Sequence, residues 1–316
     1  MVKYSITRLL QSAVTVLIVA TIVFLLMRAL PTDYFFTEEE VMKLTEQQKH
    51  DRLEAAGLND PIAQQLLRFY NELLHGDLGK SRRIRVDKPV IEIIQERFPV
   101  SMKLGLISLG ISLVLGITIG IIQVLNKEGP LDHLGMIYTI FVNAVPPLVT
   151  YSLVLMFGAK VLDLPSMFSK RNEFQSSIMP IVCLSLSSIA HYAMWTRRYM
   201  VDELNKDYLR LCRVKGMPTK DIMIRHVLKN AFVPLIAYIP ASILFTIGGS
   251  LLVERFFGIP GMGPLLVDSI GRYDTPLVQG LVVLYASMSV IGVFLGDVMM
   301  TVMDPRIKLT GKGDTR

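Results

Sequence analysis

Cysteine and tryptophan are scarce in this chain of 316 residues, which has two cysteines and one tryptophan. Cys183 falls inside an apolar run and Cys212 lies in a basic segment. Two such residues form neither a disulfide framework nor a cysteine zinc site. The five histidines are scattered and lack the close spacing of a metal-binding pair. The sequence therefore predicts no structural metal.

Charge is also scarce, since 19% of the residues are charged and 51% are hydrophobic. Several apolar runs reach about 20 residues, the length that crosses ~30 Å of hydrocarbon as a helix. Six spans are predicted, at Leu9–Met27, Leu104–Leu125, Leu134–Val161, Ile178–Trp195, Phe232–Val253 and Leu277–Val302. The pattern predicts an all-α polytopic membrane protein. Its net charge of +6 then reflects basic loops beside anionic lipid and predicts no nucleic-acid partner.

Two of these spans differ from a simple apolar helix in their flanking or internal residues. The first follows Lys3 and Arg8 as a secretory signal would, but it is too long and no small-residue cleavage site follows, which predicts a retained helix. The third is interrupted by Asn143 and by Pro146-Pro147. Because prolines free backbone carbonyls that neighbouring helices must satisfy, we expect this span in the bundle interior.

The distribution of basic residues predicts the orientation. The segment Arg197–Lys229 is rich in Lys and Arg, whereas the loops Asp163–Ser176 and Glu254–Pro276 carry two each. By the positive-inside rule, the basic segment and both chain ends are cytoplasmic. Pro31–Pro99 then faces outward, because long loops translocate with little regard to charge.

The outward segment has helical signals. Thr37 with Glu40 forms a capping box, and a second helix ends at Gly57. The stretch from Asp60 to Leu74 places its apolar residues mostly on one face. We expect a small helical cap.

The stretch HGDLGKSRRIRV, which begins at His75, ends like a nucleotide-binding loop at Gly79-Lys80-Ser81. That motif needs four residues between its first glycine and Gly-Lys-Ser, and a preceding strand. Here two residues separate Gly76 from Gly79, and a helix precedes them. The sequence predicts no nucleotide site, and a solvated charge run at Lys80, Arg82 and Arg83.

The basic segment contains an amphipathic stretch, Asp202 to Lys215, followed by a break at Gly216 and a helix start near Pro218. One side of the stretch is predicted to carry Leu204, Tyr208, Leu211 and Cys212. Two interpretations stay open. The segment is a basic loop on the membrane surface, or it is a rigid docking element for a cytoplasmic partner.

Polar residues within or beside the spans are candidates for a substrate path, because they must face protein or water. Asn143, His191 and Asp297 are such residues, although hydrogen bonding between helices accounts for each singly. Glu254 and Arg255 gate an outer mouth or anchor the interface. Ser187 and His191 lie four apart, but an intramembrane hydrolase needs an oxyanion site as well, and membrane serines usually serve packing.

Ordered landmarks give the chain a specific resemblance. RLCRVKGMPTKDIMIRHVLKNAFVP resembles the "EAA" coupling segment of ABC importer permeases, in the form of the oligopeptide/dipeptide branch, and departs at Leu211 and Cys212, where that branch usually has small residues. AGLNDPIAQQLLRFYNELLHGDLGKS, ERFPVSMKLG, LLVERFFGIPGMGPLLVDSIGRYDTPLVQG and MDPRIKL are similar to other stretches of that family, in the same order.

The resemblance implies a type I ABC importer permease fold of six transmembrane helices, with a small helical extracytoplasmic insertion between helices 1 and 2. Residues 1–30 would hold the first helix, 31–99 the insertion, 100–303 the permease core with a cytoplasmic coupling loop at 197–232, and 304–316 a tail. It implies ATPase-coupling roles for Asp207, Arg210, Arg213, Lys215, Gly216, Met217, Pro218 and Asp221. Candidates for the translocation path remain Asn143, His191 and Glu254.

The implied activity is ATP-driven import of oligopeptides or dipeptides by alternating access across a bacterial cell membrane. The implied partners are a second, homologous permease, two cytoplasmic ATPases that use ATP and Mg, and an extracytoplasmic peptide-binding protein. The chain itself would bind no cofactor and would not be an enzyme. Nickel or glutathione remains an alternative cargo, and an intramembrane hydrolase or a scaffold an alternative class.

Overall fold

The computed structural model describes residues 2–31, 35–55 and 57–303, and all regular elements in those ranges are helical. The predicted all-α polytopic permease fold is confirmed. The helices are α1 Val2–Arg28, α2 Glu38–Lys43, α3 Glu46–Ala55, α4 Ile62–Leu74, α5 Val90–Leu125, α6 Pro130–Ala144, α7 Pro147–Val161, α8 Glu173–Leu204, α9 Asp207–Val214, α10 Thr219–Asp221, a π-helix Ile222–Leu228, α11 Lys229–Ile247, α12 Leu251–Phe256, α13 Met262–Gly271 and α14 Thr275–Met303, with a short 3₁₀ turn at Lys170–Asn172.

Five helical stretches in the described ranges are long and apolar enough to cross a membrane. They are Ile6–Arg28, Val90–Leu125, Lys170–Leu204, Thr219–Phe256 and Thr275–Val302. The remaining predicted span is the pair α6 and α7, bent by 111°. Val145 and Pro146 are extended between the two helices, and Pro147 opens α7, because a proline pair cannot continue the first helix.

The prediction that this third span is packed in the bundle interior is wrong. The apolar side chains Leu134, Ile137, Leu153 and Phe157 are exposed on the surface of this chain. The bend places α6 and α7 along α8, so much of their surface has no neighbour among the described helices.

Helix α5 begins at Val90, well before the predicted Leu104, and has 36 residues. At 1.5 Å per residue it is about 54 Å long, more than the hydrocarbon thickness requires. Its first turns therefore extend beyond the length needed to cross the membrane. In those turns Val90 and Ile93 are buried against Leu277 and Leu281 of α14. This end of the bundle, with α2–α4 and the start of α14, is called the insertion end. The opposite end, with α9, is called the coupling end.

A seam of small residues joins α5 to α8. Ser108, Ser112, Gly116 and Gly120 recur every four residues of α5 and face α8. A Cβ on Gly116 would lie 2.8 Å from the carbonyl oxygen of Ile189. One on Gly120 would lie 2.7 Å from that of Ala193. Such close backbone approach is how membrane helices associate without a hydrophobic driving force.

A second seam joins α14 to α11. Gly292 and Gly296 of α14 are also four residues apart, and they lie against Ala241 and Ala237 of α11. A Cβ on Gly296 would lie 2.4 Å from the Ala237 carbonyl oxygen. The two seams fix the four longest helices of the permease core as close-packed pairs.

The small helical cap follows its predicted signals. Thr37 and Glu40 form a reciprocal capping box at the start of α2. Gly57 has a φ of +65°, and the Leu58 N–H donates to the Leu53 carbonyl, as in a Schellman ending. Helix α4 lies on α1, where the rings of Phe69 and Phe24 stack with centroids 5.4 Å apart.

Candidate functional site

The first candidate site is the coupling element, residues Asn205–Asp221, whose first helix is shorter than the sequence predicts. The single helix predicted from Asp202 to Lys215 breaks at Asn205, and α9 starts anew at Asp207. Gly216 has a φ of +75°, and the Met217 N–H returns to the Cys212 carbonyl at 3.2 Å. Since that backbone conformation favours glycine, Gly216 fixes the turn between α9 and α10.

The buried face of α9 is built on Leu209, which is 1% exposed and packs with Met200 and Val227. Cys212 and Met217 pack against the same cluster. Leu211, predicted on the apolar side with Cys212, is instead 55% exposed. Val214 is 84% exposed. The element therefore presents apolar side chains away from the bundle while Leu209 anchors it.

The charged residues predicted for coupling surround this outward face. The Arg210 guanidinium lies 3.6 Å from the Asp207 carboxylate, and Arg225 lies 4.0 Å from Asp221. Arg213, Lys215 and Pro218 are exposed, Met217 and Asp221 are half-buried, and Gly216 lies on the surface. The pairs are solvent-exposed and stabilise the fold little, so their charge remains accessible to a partner.

Hydrogen bonds among three side chains tie α9 to the helices on both sides. The Tyr208 hydroxyl bonds the Glu203 carboxylate at the end of α8. The Asn230 amide of α11 donates to Glu203 at 2.9 Å and to the Tyr208 oxygen at 3.0 Å. Burial, with the Glu203 bond, raises the pKa of Tyr208 to about 12, so the hydroxyl keeps its proton. The element is thus held to α8 and α11 together.

The connection from the coupling element to the membrane is a π-helix, Ile222–Leu228. Its residues Ile222 and Val227 are buried in the cluster that holds Leu209. π-Turns are rare and recur at functional positions, because they widen the helix. The coupling element is therefore connected to the α-helix α11 through a stretch with the wider π-helical hydrogen-bonding pattern.

A second candidate site is an aromatic stripe on α8. His191, Trp195 and Tyr199 follow one another at four-residue spacing, and Tyr238 of α11 stacks on Trp195 with centroids 6.3 Å apart. The predicted His191 is exposed at one end of this stripe. In the described residues no hydrogen bond joins His191 to Ser187, and Ser185 bonds Ser108 at 3.0 Å in the seam with α5.

Glu254 is 2% exposed and lies inside the chain rather than at an open mouth. Its carboxylate accepts the Gly263 N–H at 2.9 Å and the Ser250 N–H at 3.3 Å. It reaches a crevice of about 180 Å³ between α5, α8 and α11, which Ser188 and Thr246 also line. His191 lies one helical turn after Ser188 on α8 but is not among the residues that line this crevice.

The remaining polar candidates have other partners. The Asn143 amide is exposed and donates to the Thr139 carbonyl of its own helix at 2.8 Å. Among the described residues, no hydrogen bond joins Asn143 to His191 or Glu254. Asp297 lies 3.3 Å from Arg8, which ties α14 to α1. Within 2–31, 35–55 and 57–303, no three His, Cys, Asp or Glu side chains converge as metal ligands.

Residues 112–309, which include the α11–α14 seam, the coupling element and α14, match the family model described as "Binding-protein-dependent transport system inner membrane component". The chain belongs to this family. The resemblance found in the sequence is confirmed, and the family together with the apolar helices makes this a multi-pass inner membrane protein. Residues 304–316, with most of the MDPRIKL stretch, lie outside the described residues.

Curated relatives match over the whole length. The chain is 32% identical over 309 residues to the dipeptide transport system permease protein DppB of Lactococcus lactis subsp. cremoris, covering 98% of this chain and 100% of the relative. It is 31% identical to DppB of Bacillus subtilis, covering 99% and 100%. It is 33% identical to the oligopeptide transport system permease protein OppB of Escherichia coli K12, covering 98% and 100%. All three relatives are named as permease proteins of peptide transport systems.

Proposed function

We propose that this protein is a permease subunit of an ATP-driven importer of dipeptides or oligopeptides. Its partners are a second homologous permease, two ATPase subunits that bind ATP with Mg, and an extracytoplasmic peptide-binding protein. The cargo is inferred from the relatives, whose names specify dipeptide and oligopeptide transport. The chain supplies the path and the mechanical connection, and the ATPases supply the energy.

The observation that carries the proposal is the two-sided build of α9. Leu209 fixes one side in the bundle, while Leu211 and Val214 are presented outward beside Arg210 and Arg213. A membrane-surface helix would need its exposed apolar residues at the depth of the lipid. Here they lie on a short element that the Gly216 turn and the Tyr208–Glu203–Asn230 bonds hold in place. An apolar centre with a charged rim is the composition of a protein-docking surface.

The proposed mechanism is alternating access, and the contacts of α9 with its neighbouring helices support it. Because Tyr208 and Asn230 join α9 to both α8 and α11, a push on the coupling element acts on the two helices that carry the aromatic stripe. The proposed path runs along His191, Trp195 and Tyr238, beside the Glu254 crevice. ATP shifts the population between the two states of the complex only if ATP binds those states with different affinity.

The proposed topology places the coupling element and both chain ends in the cytoplasm and the insertion outside. Lys80 on the insertion and Lys215 on the coupling element are both exposed, so they report on opposite sides. A cysteine at Lys80 is expected to react with a membrane-impermeant maleimide in cells freed of any outer barrier. A cysteine at Lys215 is the matched control and is expected to react only after lysis. The reverse pattern would overturn the topology.

The cargo is tested by uptake. Cells that lack their own peptide importers receive this chain with its partner subunits, and the uptake of a labelled dipeptide, a labelled pentapeptide, nickel and glutathione is compared. We expect peptide uptake that depends on this chain. Uptake of nickel or glutathione without peptide would replace the proposed cargo.

A further inference from the structure

A cavity of about 440 Å³ lies at the insertion end, between α1, α4, the Asp77–Arg82 loop and the start of α14. Three arginines from three different segments line it, namely Arg28, Arg68 and Arg82. Lys80 lines it as well, against the acidic residues Glu72, Asp77 and Asp87. The charge around the cavity is therefore net positive. Neither the coupling element nor the aromatic stripe contributes to it.

Arg28 of this cavity contacts two aromatic rings. Its guanidinium lies 5.1 Å from the ring centroid of Phe24 and 4.9 Å from that of Phe35. Its buried Nε has no hydrogen-bond partner among the described residues. A buried donor without a partner is costly, and a cation between aromatic rings still lacks an anion. The arrangement leaves room for an acceptor from outside the chain.

The neighbouring arginines cannot supply that acceptor, because a guanidinium only donates hydrogen bonds. The Arg82 guanidinium lies 5.6 Å from the same Phe35 ring, and its Nη1 donates to the Phe35 carbonyl at 2.7 Å. Burial lowers the pKa of Arg82 from its ordinary value. Arg68 is paired with Asp60. The Asp77 carboxylate already accepts the Gly79 N–H at 2.8 Å. Arg68, Arg82 and Asp77 are therefore engaged with groups of this chain.

The cavity lies at the end of a membrane-spanning stretch. Arg28 is the last residue of the membrane-spanning stretch of α1. Just before it, Leu25 and Leu26 are exposed, and α4 exposes Leu67 and Leu74 beside the cavity. Basic residues at the end of a membrane helix reach toward the interface, where the lipid phosphates are. The exposed Leu25 and Leu26 give an acyl chain an apolar surface on α1 next to Arg28.

We propose that this cavity binds the phosphate group of an anionic phospholipid. Arg28 is its main donor, and Arg82 and Arg68 add positive charge. A planar guanidinium suits a phosphate because it can give two parallel hydrogen bonds. The acyl chains lie against Leu25 and Leu26. A bound lipid would join α1, α4 and the Asp77–Arg82 loop, since each contributes one arginine.

The test is native mass spectrometry of the full chain, purified with its partner subunits and equilibrated with equal amounts of phosphatidylglycerol and phosphatidylcholine. The wild type is expected to retain phosphatidylglycerol preferentially. Arg28→Gln is expected to lower that preference about tenfold, as the loss of one charge-assisted contact implies. Arg28→Lys keeps the charge and is expected to keep part of the preference. Arg272→Gln, an exposed arginine at the same end but outside the cavity, is the matched control.

Thermal unfolding of each variant separates lost binding from lost structure. If Arg28→Gln does not survive purification, Arg82→Gln is measured in its place with the same expectation. Equal phosphatidylglycerol preference in wild type and variant would overturn the proposal. So would displacement of the lipid by inorganic phosphate at equal phosphate-group concentration, because the site would then be a free-anion site.

Discussion

The Asp274 carboxylate accepts a hydrogen bond from the Ser81 hydroxyl at 2.5 Å, across 193 residues of sequence. It also accepts three consecutive backbone N–H groups, those of Arg82, Arg83 and Ile84, at 3.2, 3.0 and 2.9 Å. Asp274 is fully buried, and it directly precedes α14. Successive N–H groups of this kind form an anion-binding concavity. The insertion is thereby fastened to the last membrane helix.

Replacing this carboxylate is expected to release the insertion. Asp274→Ala leaves the three backbone donors and the Ser81 hydroxyl without their acceptor, and each charge-assisted bond contributes about 1.5–3 kcal/mol. Hydrogen exchange of the 81–84 backbone is expected to accelerate by at least about tenfold. Asp268→Asn is the control, since its pair with Arg255 is exposed. Unchanged protection in Asp274→Ala would show that the loop is held by other contacts.

The α5–α8 seam predicts opposite effects for two glycines on one helix. Gly116→Ala places a Cβ against the Ile189 carbonyl and is expected to cost about 1–3 kcal/mol through overpacking. Gly110 faces open space, so Gly110→Ala is expected to be neutral or to stabilise the helix by up to about 1 kcal/mol. Thermal unfolding in detergent measures both. Similar unfolding midpoints for the two variants would show that Gly116 is not closely packed against α8.

An ion pair with a buried carboxylate at the coupling end predicts a third change in the free energy of unfolding. Arg197 Nε and Nη2 donate to the two Asp132 oxygens at 2.6 and 2.8 Å, and the side chain of Asp132 is 1% exposed. Asp132→Asn leaves the Arg197 charge without its counterion and is expected to cost about 3–5 kcal/mol. Arg198→Gln, next along α8 and stacked on Trp195, is the matched control and is expected to cost far less. In Asp132→Asn/Arg197→Gln the two losses are expected to be less than additive, which denaturant or thermal unfolding detects.

The membrane architecture could be predicted because its signals are local. Apolar length predicts the spans, and the Thr37–Glu40 spacing predicts the cap of α2. The four-residue spacing of small residues in α5 and α14 was also present in the sequence, and it is the signal that would have predicted both seams.

Other features depend on helix phase or on distant contacts. A single continuous helix from Asp202 to Lys215 predicts Leu211 on the same side as Leu204, Tyr208 and Cys212. The break at Asn205 resets the phase, so Leu209 is buried and Leu211 exposed. Arg82 was predicted to be solvated, but its backbone binds Asp274 and its side chain is half-buried. No local pattern signals a contact between residues so far apart.

The coupling element predicts that buried and exposed residues of one short helix have separable roles. Leu209→Ala removes the anchor of α9 and is expected to destabilise the protein by about 2–5 kcal/mol. Val214→Asp changes an 84% exposed side chain and is expected to leave the unfolding midpoint unchanged while the ATPase subunits no longer co-purify. Unfolding curves and pull-down with the ATPases measure the two effects.

The most direct test of peptide import through this element is ATP-dependent uptake of a labelled peptide into proteoliposomes that contain the permease pair, the ATPases and the binding protein. Val214→Asp is compared with Lys127→Gln, which makes the same change of charge at an exposed position of the coupling end. A docking role for Val214 predicts that peptide uptake falls about tenfold or more in Val214→Asp, as for a central docking residue, and stays at the wild-type level in Lys127→Gln. Full uptake by Val214→Asp would contradict it.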